Sequence, residues 1–189
     1  MNTYDFVHLT LHALGGQVRG KTKLQKMIYF TGILTGIIEE LGYRPHYYGP
    51  YSSEVEDAVG RLRGLGFVDQ NVASVGAVDP SGFEVARYDF TLNEQGKQIA
   101  ETKARDNPEI WGKIKAKVAI LKKAGDADYM KLSIAAKTFF MLGEKKETMS
   151  YDELAKLAAR FGWKVNAEQV KDAAKLLESV GLVNVVKKD

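Results

Sequence analysis

The sequence predicts a mostly helical α+β protein, and three observations carry that expectation. Apolar residues recur at helical spacing over most of the chain. Near the middle, two β-rich runs, 67–75 and 83–92, flank Asp79-Pro80-Ser81-Gly82, which is strong turn chemistry for an antiparallel hairpin. Ser53 with Glu56, Ser150 with Glu153 and Asn166 with Gln169 have the spacing of capping boxes, each opening a helix.

Taken in order, the run Val7–Ala13 alternates apolar and polar residues, which leaves strand and helix both open there. From Lys21 the residues Leu24, Met27, Ile28, Leu34, Ile37, Ile38 and Leu41 mark one long helix, ended by Gly42. The helix begun at Ser53 buries Val55, Ala58, Val59 and Leu62; Gly66 stops it and Phe67-Val68 opens the first hairpin strand. A helix resumes after Asn93. Another starts near Pro108, a favoured first-turn residue, and buries Trp111, Ile114, Val118 and Leu121. A helix over Tyr129–Leu142 and the two capped helices follow, and the chain closes with the apolar run Leu182–Val186.

Residues 54–68 align without gaps on 169–183, with identical pairs Val55/Val170, Asp57/Asp172, Ala58/Ala173, Leu62/Leu177, Gly66/Gly181 and Val68/Val183. Upstream, Leu14-Gly15 and Leu24-x-Lys26 recur as Leu142-Gly143 and Leu154-x-Lys156. The pattern reads as two copies of one unit, the second lacking the hairpin. The order helix, turn, helix, capped helix, strand, turn, strand is that of a winged helix–turn–helix. The expected domains are therefore a winged unit over 1–106 and a helical domain with a wingless copy over 107–189.

Composition narrows the function. The chain has no cysteine, which excludes disulfides and thiolate chemistry. The start has neither a basic region nor a continuous apolar core, and no run reaches the ~18 apolar residues of a membrane span, so a cytoplasmic protein is expected. The net charge of +3 is uneven: residues 107–189 hold sixteen Lys/Arg against eleven Asp/Glu. A basic C-terminal half is compatible with a polyanion partner, and equally with solvated lysine faces.

Gly15 with Gly20-Lys21-Thr22 matches the phosphate-loop pattern Gly-x-x-x-x-Gly-Lys-Ser/Thr. Such a loop needs a buried strand before it, further parallel strands and a metal-binding aspartate, and here the strong strands form an antiparallel hairpin. A small P-loop nucleotidase is accordingly the third reading of function. His8 and His12 are four apart without an evident third ligand, so no metal is expected; no cofactor is implied and no catalytic constellation can be named. The expectation is a non-catalytic protein.

Lys21, Lys23 and Lys26 crowd the start of a helix, where positive charge costs roughly 0.3–1 kcal/mol each when exposed. They read as contacts to a nucleic-acid backbone, with Arg61 and Arg63 on the presumed recognition helix and Arg87 on the wing as secondary contacts. Against this, the recognition helix begins with Ser53, Glu54, Glu56 and Asp57, whose carboxylates repel phosphates, and Asp79 occupies the wing tip. Those acids, with Tyr47, Tyr48 and Tyr51 around Gly49-Pro50, suit a protein partner instead. The stretch Lys23-Leu24-Gln25-Lys26-Met27-Ile28-Tyr29-Phe30, followed by Tyr47-Tyr48-Gly49-Pro50-Tyr51-Ser52, resembles the YwgA-like family. More loosely it is similar to Panacea-type antitoxins, which share a Leu-Gln-Lys helix and a downstream Gly-Pro. The closer resemblance covers roughly residues 15–70 and implies a regulator. The leading expectation is thus a homodimeric winged-helix regulator binding double-stranded DNA; the alternative is a protein-binding adaptor or antitoxin-like module on the same fold.

Overall fold

The computed structural model describes residues 1–78, 84–124 and 129–186, so the expected wing tip at Asp79-Pro80-Ser81-Gly82 lies outside the described residues. The chain runs α1 (Thr3–Ala13), β1 (Gln17–Arg19), α2 (Lys21–Thr35), a 3₁₀ turn (Ile38–Leu41), α3 (Ser53–Gly64), β2 (Val68–Val78) and β3 (Glu84–Leu92). Five helices follow: α4 (Glu94–Asp106), α5 (Pro108–Lys123), α6 (Tyr129–Lys145), α7 (Tyr151–Arg160) and α8 (Ala167–Ser179). The protein is α+β and mostly helical. Its three-stranded antiparallel sheet has the order β1-β3-β2, with Val18 opposite Phe90 and Val68 opposite Leu92. Those four side chains are buried, which turns one face of the sheet toward the helices.

The ambiguous N-terminal run is a helix. Asn2 caps α1 by accepting from the Asp5 N–H, and Phe6, Val7, Leu9 and Leu11 are buried. Alternation misleads there because α1 is covered on several sides, by α3, α4 and α5, and His8 and Thr10 are buried too. The long helix expected to reach Gly42 is two elements: α2 ends at Gly36, whose left-handed backbone (φ 81°) caps it, and the 3₁₀ turn ends at Gly42. The α3 cap is Ser52, one residue earlier than expected; its hydroxyl accepts from the Val55 N–H. Both capping boxes of the C-terminal third, Ser150 with Glu153 and Asn166 with Gln169, form.

The echo between 54–68 and 169–183 is matched locally. Both helices bury the paired positions Val55/Val170, Ala58/Ala173 and Leu62/Leu177, and both are followed by a left-handed glycine, Gly66 and Gly181. Its upstream part is not matched, since Leu142-Gly143 lies inside α6 rather than in a turn. The boundary expected between 106 and 107 does not separate two cores. Ile114 and Val118 of α5, Leu132 and Ala135 of α6 and Leu177 of α8 share one core with Phe6, Ile28 and Leu62. A second, smaller cluster gathers Met141, Leu154, Leu157, Ala158, Trp163 and Val170.

His8 has a structural role. Its Nε2 donates to the Gly96 carbonyl (2.8 Å) and its ring stacks on Phe67 at 5.9 Å. Burial, reinforced by the nearby charge of Lys103, pushes its pKa down from 6.5 to about 4. The unfolded chain therefore takes up this proton near pH 6.5 and the folded chain only near pH 4. The contribution is complete above pH 6.5 and is lost as pH falls through that window, by about 3 kcal/mol. Urea unfolding of the wild type and His8→Gln should show it: between pH 7 and 4 the wild type loses stability more steeply. Parallel profiles would refute this role.

Candidate functional site

The two sequence motifs separated by sixteen residues meet in space, and what they build is a pinned loop. α2 presents Gln25 and Lys26 to the segment between the 3₁₀ turn and α3. The Gln25 amide donates from Nε2 to the Ser52 carbonyl (2.9 Å) and accepts from the Ser52 N–H at Oε1 (3.2 Å). Lys26 Nζ donates to the Pro50 carbonyl at 2.5 Å. From the other half of the chain, the Ser133 hydroxyl of α6 donates to the Tyr48 carbonyl, and Trp163 Nε1 donates to the His46 carbonyl at 2.7 Å. Alternate carbonyls at 46, 48, 50 and 52 thus each receive a side-chain donor, from four residues far from the loop in sequence. The Tyr43 hydroxyl adds a bond to the Gln25 carbonyl (2.7 Å), and an antiparallel bridge joins Arg44 to Tyr51.

With its backbone held from beneath, the loop turns two rings outward. Tyr47 is 68% exposed and Tyr48 49%, and they meet edge to face at 4.9 Å. Gly49 has a left-handed backbone (φ 93°), which favours glycine, and a Cβ there would be tight against Lys137 Cγ at 3.0 Å and the Ser133 carbonyl at 3.3 Å. Tyr51 is half-buried against His46 at 5.0 Å.

Lys26 is a correction to the sequence reading. It is 1% exposed, beneath the loop rather than on a phosphate-facing surface. Burial pushes its amine down to about 7, and the charge of Lys137 pushes the same way. The spacing that assigned it to an exposed face fails because Leu24–Gly32 are all buried, with α5 and α6 packed on the side of α2 that periodicity leaves to solvent.

Of the other five cations, Lys21 and Arg63 line one cleft and Arg61 lines another hollow. Lys21 pairs with Glu56 of α3 and lies 5.8 Å from the centre of the Tyr51 ring. Lys23 is half-buried. Arg87 is held through Nε and Nη2 by both carboxylate oxygens of Asp89, each at 2.9 Å; Asp89 also accepts from the Gly20 N–H at 3.2 Å. The Arg87 bond holds the Asp89 carboxyl below its ordinary range. Arg61 and Arg63 are exposed but line different hollows, Arg61 between α1 and α3 and Arg63 between α3 and the sheet.

Among the acids, Glu54 accepts from the hydroxyls of Ser52 (3.2 Å) and Ser53 (3.1 Å), and Asp57 is exposed beside Arg61 in the α1–α3 hollow. Tyr47 and Tyr48 do not line that hollow. The 46–52 loop meets the acidic helix start through the Ser52 hydroxyl on Glu54 and through Tyr51–Lys21–Glu56.

The phosphate-loop-like stretch is drawn out by β1, and its glycine N–H groups are used internally: Gly15 on His12, Gly16 on Leu11 and Gly20 on Tyr88. The preceding element is α1, not a strand. His12 stacks on Trp111 at 5.2 Å, and among the described residues no group of three potential ligands is assembled.

Trp163, Ser133 and Lys137 were missed by sequence reasoning. Trp163 offered one signal: a tryptophan that is buried needs a partner for its indole N–H. Nothing local in the sequence names His46 as that partner, 117 residues away.

No family model matches the chain. Among curated proteins it is similar to "Uncharacterized protein YwgA" of Bacillus subtilis (strain 168), 31% identical over 99 residues, which cover 52% of this chain and 55% of that protein. The chain spans about half the length of the curated relative it matches, and this similarity supports the YwgA-like resemblance.

Proposed function

We propose that this chain is a non-catalytic recognition module whose pinned loop receives a protein partner. The observation that carries the reading is the loop itself: four carbonyls bonded from beneath, with Tyr47 and Tyr48 held outward. Rigid aromatic side chains supply large contact area at low entropic cost and are enriched at interface centres. The acidic start of α3 follows the loop directly, and Glu54 accepts from the Ser52 hydroxyl. A photo-crosslinking residue at position 47 tests this. One discrete adduct should form in cells and be lost in Tyr48→Ala and in Glu54→Lys/Asp57→Lys variants. A chain that forms no adduct, or forms it regardless of these variants, would sink the reading.

The element order favours a second reading. The order α1-β1-α2-α3-β2-β3 with the sheet order β1-β3-β2 supports a winged helix–turn–helix reading, in which α3 enters the major groove as part of a DNA-binding regulator. Arg61 and Arg63 are the cations on α3 without an ion-pair partner among the described residues. Anisotropy with a mixed-sequence duplex at two salt concentrations tests it: Arg61→Ala/Arg63→Ala should reduce the salt slope by about two. Absence of binding at low salt would retire the DNA reading.

A further inference from the structure

The cleft between the start of α2, one face of α3 and the sheet has the features of a small-molecule site. It holds about 320 Å³, at the small end of ligand-pocket sizes. Its apolar wall comes from Leu24 of α2, Val55 and Val59 of α3, and Phe90 of β3. The part-exposed ring of Tyr88 also lines it. Three charged groups line it as well: Lys21, Glu56 and Arg63. Lys21 and Glu56 neutralise each other, and the Arg63 guanidinium has no carboxylate partner among the described residues, which leaves one unbalanced positive charge.

Gly60 adds an independent observation. It lies in the middle of α3, on the cleft wall, and a Cβ built there meets no atom within 4 Å. Its φ is not left-handed, so neither packing nor backbone conformation requires glycine, although glycine weakens a helix interior. A side chain at this position would meet no neighbour, which makes Gly60 the place to narrow the cleft by substitution.

We propose that this cleft binds a small aromatic monoanion, its ring against Val59, Phe90 and Tyr88 and its carboxylate on Arg63. Fork-shaped guanidinium donors match a carboxylate, and an aromatic body uses the apolar wall. The site is lined by neither Tyr47 nor Tyr48 and does not rest on the partner reading.

Isothermal titration of the full chain with 2-naphthoate tests it. The wild type should bind one equivalent. Gly60→Leu, which fills the cleft while improving the helix, and Arg63→Gln, which removes the charge, should each weaken binding at least about tenfold. Arg61→Gln, two residues away and on the opposite face of the same helix, should leave it unchanged. Neutral 2-naphthol should bind wild type and Arg63→Gln alike, because it has no carboxylate to lose. Absence of binding to the wild type, indifference to both Gly60→Leu and Arg63→Gln, or equal weakening by Arg61→Gln would each overturn the assignment.

Discussion

Truncating Trp163 to alanine is expected to lower the unfolding free energy by about 3–5 kcal/mol and to free the loop that carries Tyr47 and Tyr48. The indole is 2% exposed, in the connection between α7 and α8. It stacks on Phe161 at 4.7 Å and meets Phe140 edge to face at 6.1 Å, at the centre of the smaller core cluster. Lys137 Nζ lies over its ring at 5.6 Å. Removing it therefore deletes a large apolar surface, an aromatic pair and the donor to the His46 carbonyl. The conservative series separates these contributions. Trp163→Phe keeps most of the packing and loses the donor, which should cost about 1 kcal/mol more than its small volume change, since the exposed His46 carbonyl can bond water instead. Denaturant unfolding gives the stabilities, and amide exchange at Tyr47–Gly49 reports the loop. If Trp163→Ala left that exchange unchanged, the loop would not be held from the C-terminal third.

Gly96→Ala should destabilise by about 1–3 kcal/mol, against the direction that helix propensity alone predicts. Gly96 is in the first turn of α4, where alanine would gain up to about 1 kcal/mol by propensity. A Cβ there, however, would lie 2.9 Å from the Phe67 carbonyl carbon and nearer still to its oxygen. Both sides of that overlap are backbone, so no rotamer change relieves it. α4 would have to move off the start of β2, and overpacking of this kind costs roughly 1–3 kcal/mol or more. The shift also disturbs the Gly96 carbonyl, which accepts from His8, and the Gly96 N–H, which donates to Asn93 at 2.9 Å. The observable is the urea midpoint. A midpoint that rose would show that propensity, not the contact with Phe67, decides at this position.

Both predictions concern residues whose importance is not written in their neighbourhood of the sequence. The same division runs through the rest of the molecule. Helix starts at Ser150, Asn166 and Pro108 were legible because capping and first-turn preferences are local chemistry, settled within four residues. The hairpin strands were legible from β-rich composition on either side of a turn signal, and the end of α3 from Gly66. The Leu-Gln-Lys helix and the Gly-Pro-Tyr-Ser loop were legible as two motifs, and nothing in the sequence said that they meet. Their meeting, Gln25 on Ser52 and Lys26 on Pro50, required coordinates.

Local chemistry by itself determined that most segments after α1 are helical, where most of them begin, and that a hairpin interrupts them, because those choices depend on contacts a few residues apart. Tertiary structure alone decided what each face of a helix meets. α1 is a helix despite its alternating pattern because helices cover it on several sides. Lys26 is inside because α6 and the 46–52 loop close over α2, at a position that periodicity reads as solvent. Lys21 is ion-paired because α3 brings Glu56 to it from 35 residues away. Periodicity describes one helix against water, and these positions depend on which other helices take the water's place.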